Sequence, residues 1–379
     1  MTHTTSQAMP VNSGNAGLKP VLLAANQPID RPYQGGSGIA RFRGAGLHVP
    51  YTPEDFVASI TEVYSGHGVG LTILPDGRTL RAAIEADPLG YLGAEHVRRF
   101  GANTMLLVKL LSTDERLFVH YHPDADFAAA RFERTMGKTE AWIVVDTDGQ
   151  DEAYAYLGFN RPVTDDEVEI WVTNQQIPEM LHAMNRMPLH VGDTLYVPAG
   201  IAHAIGPGIT LVELQEPTDL SILLEYTGYP GFTLSSALLG LDLPTAISGL
   251  QRSQLTADQL NFLSAGRRDG SSTAQQLFPA EADTFFTAWS LDVHTRHDLA
   301  AGFAVLVVIE GGARLEFDSG SLDLHSGTTV LIPHGAGDVS IIGRMRGILC
   351  APPALPLHWG SAEQEQKVNL PTMLNRSQP

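Results

Sequence analysis

LHVGDTLYVPAGIAHAI, residues 189 to 205, returns without gaps as LHSGTTVLIPHGAGDVS at 324 to 340, an offset of 135 residues. The shared pattern, LHxGxTxxxPxG, places a turn glycine before a short apolar run and closes the run with proline and glycine, as expected for a strand held between turns. An internal repeat of this kind implies two copies of one structural unit. The copies part at a chemically telling place, because His203 of the first is matched by Asp338 of the second. One unit is expected to carry chemistry and the other to have been stripped of it.

Strand-like runs surround both copies. Before and around the first lie TMLLVKLLS, RLFVHYH, EAWIVVD, EAYAYLGF, DTLYVPAG, ITLVELQE and LSILLEY, all between residues 103 and 226. AWSLDVH, AVLVVIEGGARLEFD, TTVLIPHGAG and GILCAPP accompany the second. Many short strands separated by turn residues predict antiparallel sandwiches or barrels. Between them LSSALLGLDLP and TADQLNFLSAG space their apolar residues as a helix does, with Thr256 as an N-cap. Further upstream TLRAAIEADPLGYLG reads as a brief helix stopped by Pro88.

Composition narrows the function classes. The 24 basic residues are outnumbered by 42 acidic ones for a formal charge of -18, and no dense Lys/Arg run is present to neutralise successive phosphates. Nucleic acid and anionic membrane are not expected partners. A lone cysteine, Cys350, excludes an intrachain disulfide framework and a thiolate metal cluster. No apolar run approaches the ~20 residues that span a bilayer, and the first twenty residues lack the basic and apolar regions of a signal peptide. A cytoplasmic location is expected.

FVHYHPDAD, residues 118 to 126, holds two histidines one residue apart. On a strand alternate side chains share a face, so Phe118, His120 and His122 point one way. Glu140 opens an apolar run in GKTEAWIVVD, and His203 follows the glycine turn of the repeat. Three imidazoles and a carboxylate in this order match the ligand pattern of metal-binding cupin barrels. Such N/O donors without sulfur suit Zn, Mn, Fe or Ni. Lys109, a charge within the apolar MLLVKLL run, requires a partner or a ligand.

YQGGSGIARF, MLLVKLLSTDERLFVHYHPDAD, GKTEAWIVVD and VPAGIAHAIGPGITLVELQEPTDLS follow one another in an order that resembles the class I, cupin-type mannose-6-phosphate isomerases. The resemblance is close over residues 30 to 230 and looser beyond. It implies a mainly β fold of two cupin (jelly-roll) barrels with a small helical insert. The expected organisation is a flexible leader over 1–29, a metal-binding cupin domain over 30–229, a helical insert over 230–276 and a degenerate cupin domain without a metal site over 277–379.

By the same resemblance His120, His122, Glu140 and His203 hold one divalent metal, usually zinc, with Mn or Fe as alternatives. Glu213 is expected as the base of aldose–ketose interconversion and Lys138 as the electrostatic partner of the enediolate, with Lys109, Phe118 and Asp219 around the substrate. Three positions depart from the family. His120 replaces its glutamine ligand and Phe118 a serine near the sugar phosphate, and Leu223 stands where an arginine is expected. The substrate is accordingly mannose 6-phosphate/fructose 6-phosphate or a related sugar, free or phosphorylated. A non-catalytic sugar-binding cupin and a cupin oxygenase are the alternatives, and a homo-oligomer is compatible with each.

Overall fold

The computed structural model describes residues 18–44, 49–64, 66–150, 152–265 and 273–354. Residues 1–17 of the expected leader, residues 266–272 of the insert and residues 355–379 of the last domain lie outside these. Three antiparallel sheets carry the strands. The first runs in the order Glu54–Val57, Leu107–Ser112, Thr210–Gln215, Glu140–Asp146, Thr194–Val197. The second runs Ile222–Leu223, His120–Tyr121, His203–Ile205, Tyr154–Phe159, Met184–Pro188. The third, eight-stranded, is built around the long strands Ala304–Phe317 and Val339–Ala351 and recruits Val21–Leu22 from the N-terminal end.

The repeat is structural. Thr194–Val197 and Thr329–Ile332 are both buried strands, and each is entered through a glycine in left-handed conformation, Gly192 at φ 95° and Gly327 at φ 83°. A side chain is strained there, so glycine belongs at that point of both copies. The copies diverge after the proline. His203 begins a strand in the first, whereas in the second a 3-10 turn, His334–Ala336, intervenes and Asp338 accepts a hydrogen bond from the Ala301 amide at 2.9 Å.

Helices are more numerous than the strand pattern suggests, and the molecule is mixed α/β rather than mainly β. Ala125–Phe132, Asp165–Asn174 and Ile177–His182 lie inside the region read as strands. The first follows the histidine strand directly: Pro123 has no amide to extend a ladder, and Asp124 caps the helix through the Phe127 amide at 2.8 Å. Only His120–Tyr121 of the 116–122 run is regular strand. Thr164 and Glu167 form a reciprocal capping box, a sequence signal for the second helix that was there to be read. Pro88 does more than stop a helix, since it starts another, Pro88–Leu92, where its fixed φ suits the first helical position. Thr256 caps Ala257–Ser264 as expected. No helix among the described residues is long and apolar enough to cross a membrane.

One apolar cluster joins both ends of the chain, with Leu80, Ile84 and Leu92 packed into the same core as Val305, Leu331 and Cys350. A polar clasp reinforces the junction. Arg43 pairs with the fully buried Asp55 and donates to the Leu23 carbonyl at 3.3 Å and to Thr329 Oγ1, of the third sheet, at 3.0 Å. Removing one partner of a buried pair strands the other charge at a cost of roughly 3–5 kcal/mol. Arg43→Leu is therefore expected to lower the unfolding free energy by about 3 kcal/mol, read as a reduced urea midpoint at unchanged slope. A loss well under 1 kcal/mol would show that the clasp is not needed.

Candidate metal centre

Strand pairing brings the site together. On the first sheet Glu213 lies opposite Lys109 on one side and Trp142 on the other, while Gln215 lies opposite Glu140. On the second sheet His120 is the direct partner of His203. Alternation turns Lys109, Glu213 and Glu140 toward a cavity whose other wall carries Phe118, His120 and His203. Each of these side chains is buried, a costly placement for so many polar groups unless they partner one another.

The three imidazoles are close, with ring centroids 4.1 to 4.9 Å apart and candidate ligand atoms within 4.8 Å of one another. Each is oriented in the same way. Nδ1 of His120 donates to the Phe118 carbonyl at 3.0 Å, that of His122 to the Leu220 carbonyl at 2.9 Å, and that of His203 to the Ile201 carbonyl at 2.9 Å. A proton used at Nδ1 leaves Nε2 as a bare lone pair. Burial first, and then the Lys138 ammonium, holds His122 down to about 3, and burial with the neighbouring imidazoles holds His120 well below the usual histidine range. Both rings are neutral near pH 7.

Glu140 faces these lone pairs. Its Oε2 lies 2.9 Å from His122 Nε2 and its Oε1 3.3 Å from His203 Nε2, while Trp142 Nε1 donates to Oε1 at 2.9 Å and steadies the carboxylate. Burial alone would raise the Glu140 carboxyl, but Lys138 and His122 outweigh it and hold the group well below the ordinary carboxylate range. An ionised carboxylate and neutral imidazoles whose lone pairs converge repel each other unless positive charge offsets them, and Lys138 does so only at His122 Nε2 and Glu140 Oε2. His203 Nε2 is buried without a hydrogen bond. Donor types, tautomers and the orphaned nitrogen fit a divalent ion held by His120, His122, Glu140 and His203.

Lys138 donates to His122 Nε2 at 2.9 Å and lies 3.1 Å from Glu140 Oε2. Glu213 is pushed up to about 8, chiefly by burial and next by the charge of Glu140, and its Oε2 has no hydrogen-bond partner. Lys109 finds the partners its sequence context demanded, Glu54 at 2.8 Å and Asp219 at 3.5 Å. Burial opposes its charge, but the two carboxylates outweigh burial and raise it. Arg31 completes this group with Glu54 and, at 3.4 Å, Asp219, which also accepts from the Tyr64 amide at 3.0 Å. Phe118 packs edge-on against Tyr33, Tyr229 and Phe232 and closes the wall with apolar carbon. Leu223 is buried beside His120 in the second sheet.

Sequence reasoning missed Arg31, Glu54 and Trp142. The need of Lys109 for a counter-charge was the one signal for Glu54, and it could not say which acid. Among the described residues the histidine cluster is the one grouping of donors suited to a metal, and it lies in the half that carries the first copy of the repeat.

Comparison with known proteins agrees with this geometry. The family model described as "Mannose-6-phosphate isomerase, cupin domain" matches residues 275–352, which places a cupin domain at the C-terminal end. Mannose-6-phosphate isomerase of Streptococcus mutans is 30% identical over 166 residues, 41% of this chain and 46% of that protein. The chain thus spans about half the length of that relative. Mannose-6-phosphate isomerase ManA of Bacillus subtilis is 26% identical over 240 residues, 63% of this chain and 72% of that protein. The crystal structure of the mannose 6-phosphate isomerase from Bacillus subtilis aligns with a TM-score of 0.65 at 21% identity, covering 88% of this chain and 99% of that one. A mannose 6-phosphate isomerase described as bound with zinc and yttrium aligns with a TM-score of 0.69 at 16% identity over 89% and 100% of the two chains. These two structures share the fold. With its repeat, its sheets and its relatives in accord, the chain is a distant homologue of cupin-type mannose-6-phosphate isomerases.

Proposed function

We propose that this protein is a metal-dependent aldose–ketose isomerase acting on a sugar held between the two N-terminal sheets. The observation that carries the reading is the unpartnered, buried Glu213 carboxyl set beside four convergent metal donors and the Lys138 ammonium. An ion held by His120, His122, Glu140 and His203, zinc in the first place with Mn or Fe as alternatives, would polarise the sugar's carbonyl and hydroxyl oxygens. Glu213 would take the proton from C2 of the aldose and return it to C1 as the hydroxyl proton moves from O2 to O1, so that the ketose forms with no net gain or loss of atoms. Lys138 would stabilise the negative oxygen that develops between these steps. Burial suits both groups: with bulk water excluded, the charge that develops on the sugar is met by fixed protein groups.

The two N-terminal sheets are proposed to close as a cupin barrel over 30–229, followed by the helical insert of 230–276 and a second, degenerate barrel over 277–379, with 1–29 as a leader whose strand Val21–Leu22 is docked on the third sheet. Corresponding positions of the repeat support that division.

The reading is tested by the exchange of substrate C2 hydrogen with deuterated solvent on protein loaded with zinc. Exchange and ketose formation at matched rates are expected for one aldose of a panel that includes mannose and mannose 6-phosphate. Sugar binding with no exchange for any member would replace the isomerase with a sugar-binding protein.

A further inference from the structure

We infer that Trp142 is a positioning residue of the metal centre, whose indole N–H confines Glu140 to the metal through a single oxygen, Oε2. The inference rests on the metal donor set and not on the isomerase reading. Glu140 and Trp142 stand two residues apart on the strand Glu140–Asp146, and alternation puts both side chains on the face that looks toward the histidines. Trp142 is fully buried, and a buried indole needs an acceptor for its N–H. It has one donor to give, and gives it to Glu140 Oε1 at 2.9 Å. The same ring meets the His203 imidazole at 5.5 Å between centroids, inclined by 64°. One side chain thus touches two of the metal donors.

The two carboxylate oxygens are thereby made unequal. Oε1 is engaged by the indole in a charge-assisted hydrogen bond, the stronger kind. Oε2 is buried without a hydrogen bond, with His122 Nε2 at 2.9 Å and the Lys138 ammonium at 3.1 Å. The ammonium rides on a flexible four-carbon stem and can yield to a divalent ion. The indole cannot, because its ring is packed into the same apolar cluster as Leu195, its cross-strand neighbour. Attachment through one oxygen holds the protein's share to four donor atoms and leaves the remaining coordination positions open to oxygens from outside. A carboxylate free to turn would bring Oε1 in as well and close one of those positions.

Trp142→Phe keeps a ring on the strand and removes the N–H. Zinc affinity, read by competition with a chromophoric chelator, is expected to fall by roughly 10- to 100-fold. Phenylalanine also leaves a small void, so benzothienylalanine at the same position, with sulfur in place of the N–H and the two-ring shape retained, should show the same loss. Infrared difference spectra, zinc-loaded minus metal-free, on protein carrying isotope-labelled glutamate report the attachment directly, since the two carboxylate stretches lie farther apart when one oxygen is bound than when both are. A wide separation is expected in the parent and a narrower one in both variants. An affinity equal to the parent's in the benzothienylalanine protein, a narrow separation in the parent, or a separation that both variants leave unchanged overturns the inference. A parent protein that takes up no zinc removes the metal centre itself and the inference with it. None of these readings depends on turnover, so failure of the isomerase reading is seen separately.

Discussion

His203→Ala is expected to reduce zinc affinity by more than about a hundredfold, since loss of a partner that merely orients a ligand already costs 10- to 100-fold. The backbone pairing of residue 203 with His120 does not depend on the side chain, so the strand should persist. In the metal-free protein His203 Nε2 has no hydrogen bond and lies 3.3 Å from Glu140 Oε1. Deleting the buried ring leaves a cavity and frees the Ile201 carbonyl, so the metal-free melting temperature should fall, and the metal-loaded one should fall further still. Ligand binding stabilises the native state by an amount that grows with the logarithm of ligand concentration over Kd. The parent protein should therefore melt at rising temperature as zinc is added, and the variant should lose that response. Retention of one equivalent of zinc through dialysis, together with an undiminished thermal response, would show that the imidazole cluster is not the metal centre.

Glu213→Gln should slow C2 hydrogen exchange and ketose formation by roughly 10²- to 10⁴-fold, the range for removing a positioned general base. Glutamine keeps the volume and cannot accept the proton. The substitution also removes the repulsion between Glu213 and Glu140 that, after burial, pushes Glu213 up to about 8. Folding and zinc content should survive. The informative pattern is a fall in kcat with little change in KM, as for a group that acts in the proton transfer and not in holding the ground state. An intact exchange rate would assign the proton transfer to another group and leave Glu213 as part of the buried polar lining.

Particular residues show how far sequence reasoning reached. The histidine pair of FVHYHPDAD, Glu140 and His203 were legible because strand alternation and the repeat give each a definite face, and the structure brings all four together. Lys109 was legible as a problem, a charge in an apolar strand, but its solution was not. Glu54 lies 55 residues away in sequence and Asp219 lies on the loop before the second sheet's edge strand, distances over which no periodicity operates. The helices at 125–132 and 165–174 were missed where strand-rich surroundings outweighed capping signals at Asp124 and Thr164.

The amino-acid sequence by itself determined the two copies of one unit, the loss of His203 from the second, and the donor set with no sulfur, because turn glycines, alternation and residue chemistry are local properties. Tertiary structure alone decided which cations remain free and which nitrogen each imidazole offers. Arg31 meets Asp219 across 188 residues of chain, and the three Nδ1 atoms are tied to backbone carbonyls that only the folded strands bring into reach. Whether a buried charge is spent or available depends on what packs against it, and packing is settled when the sheets close on one another.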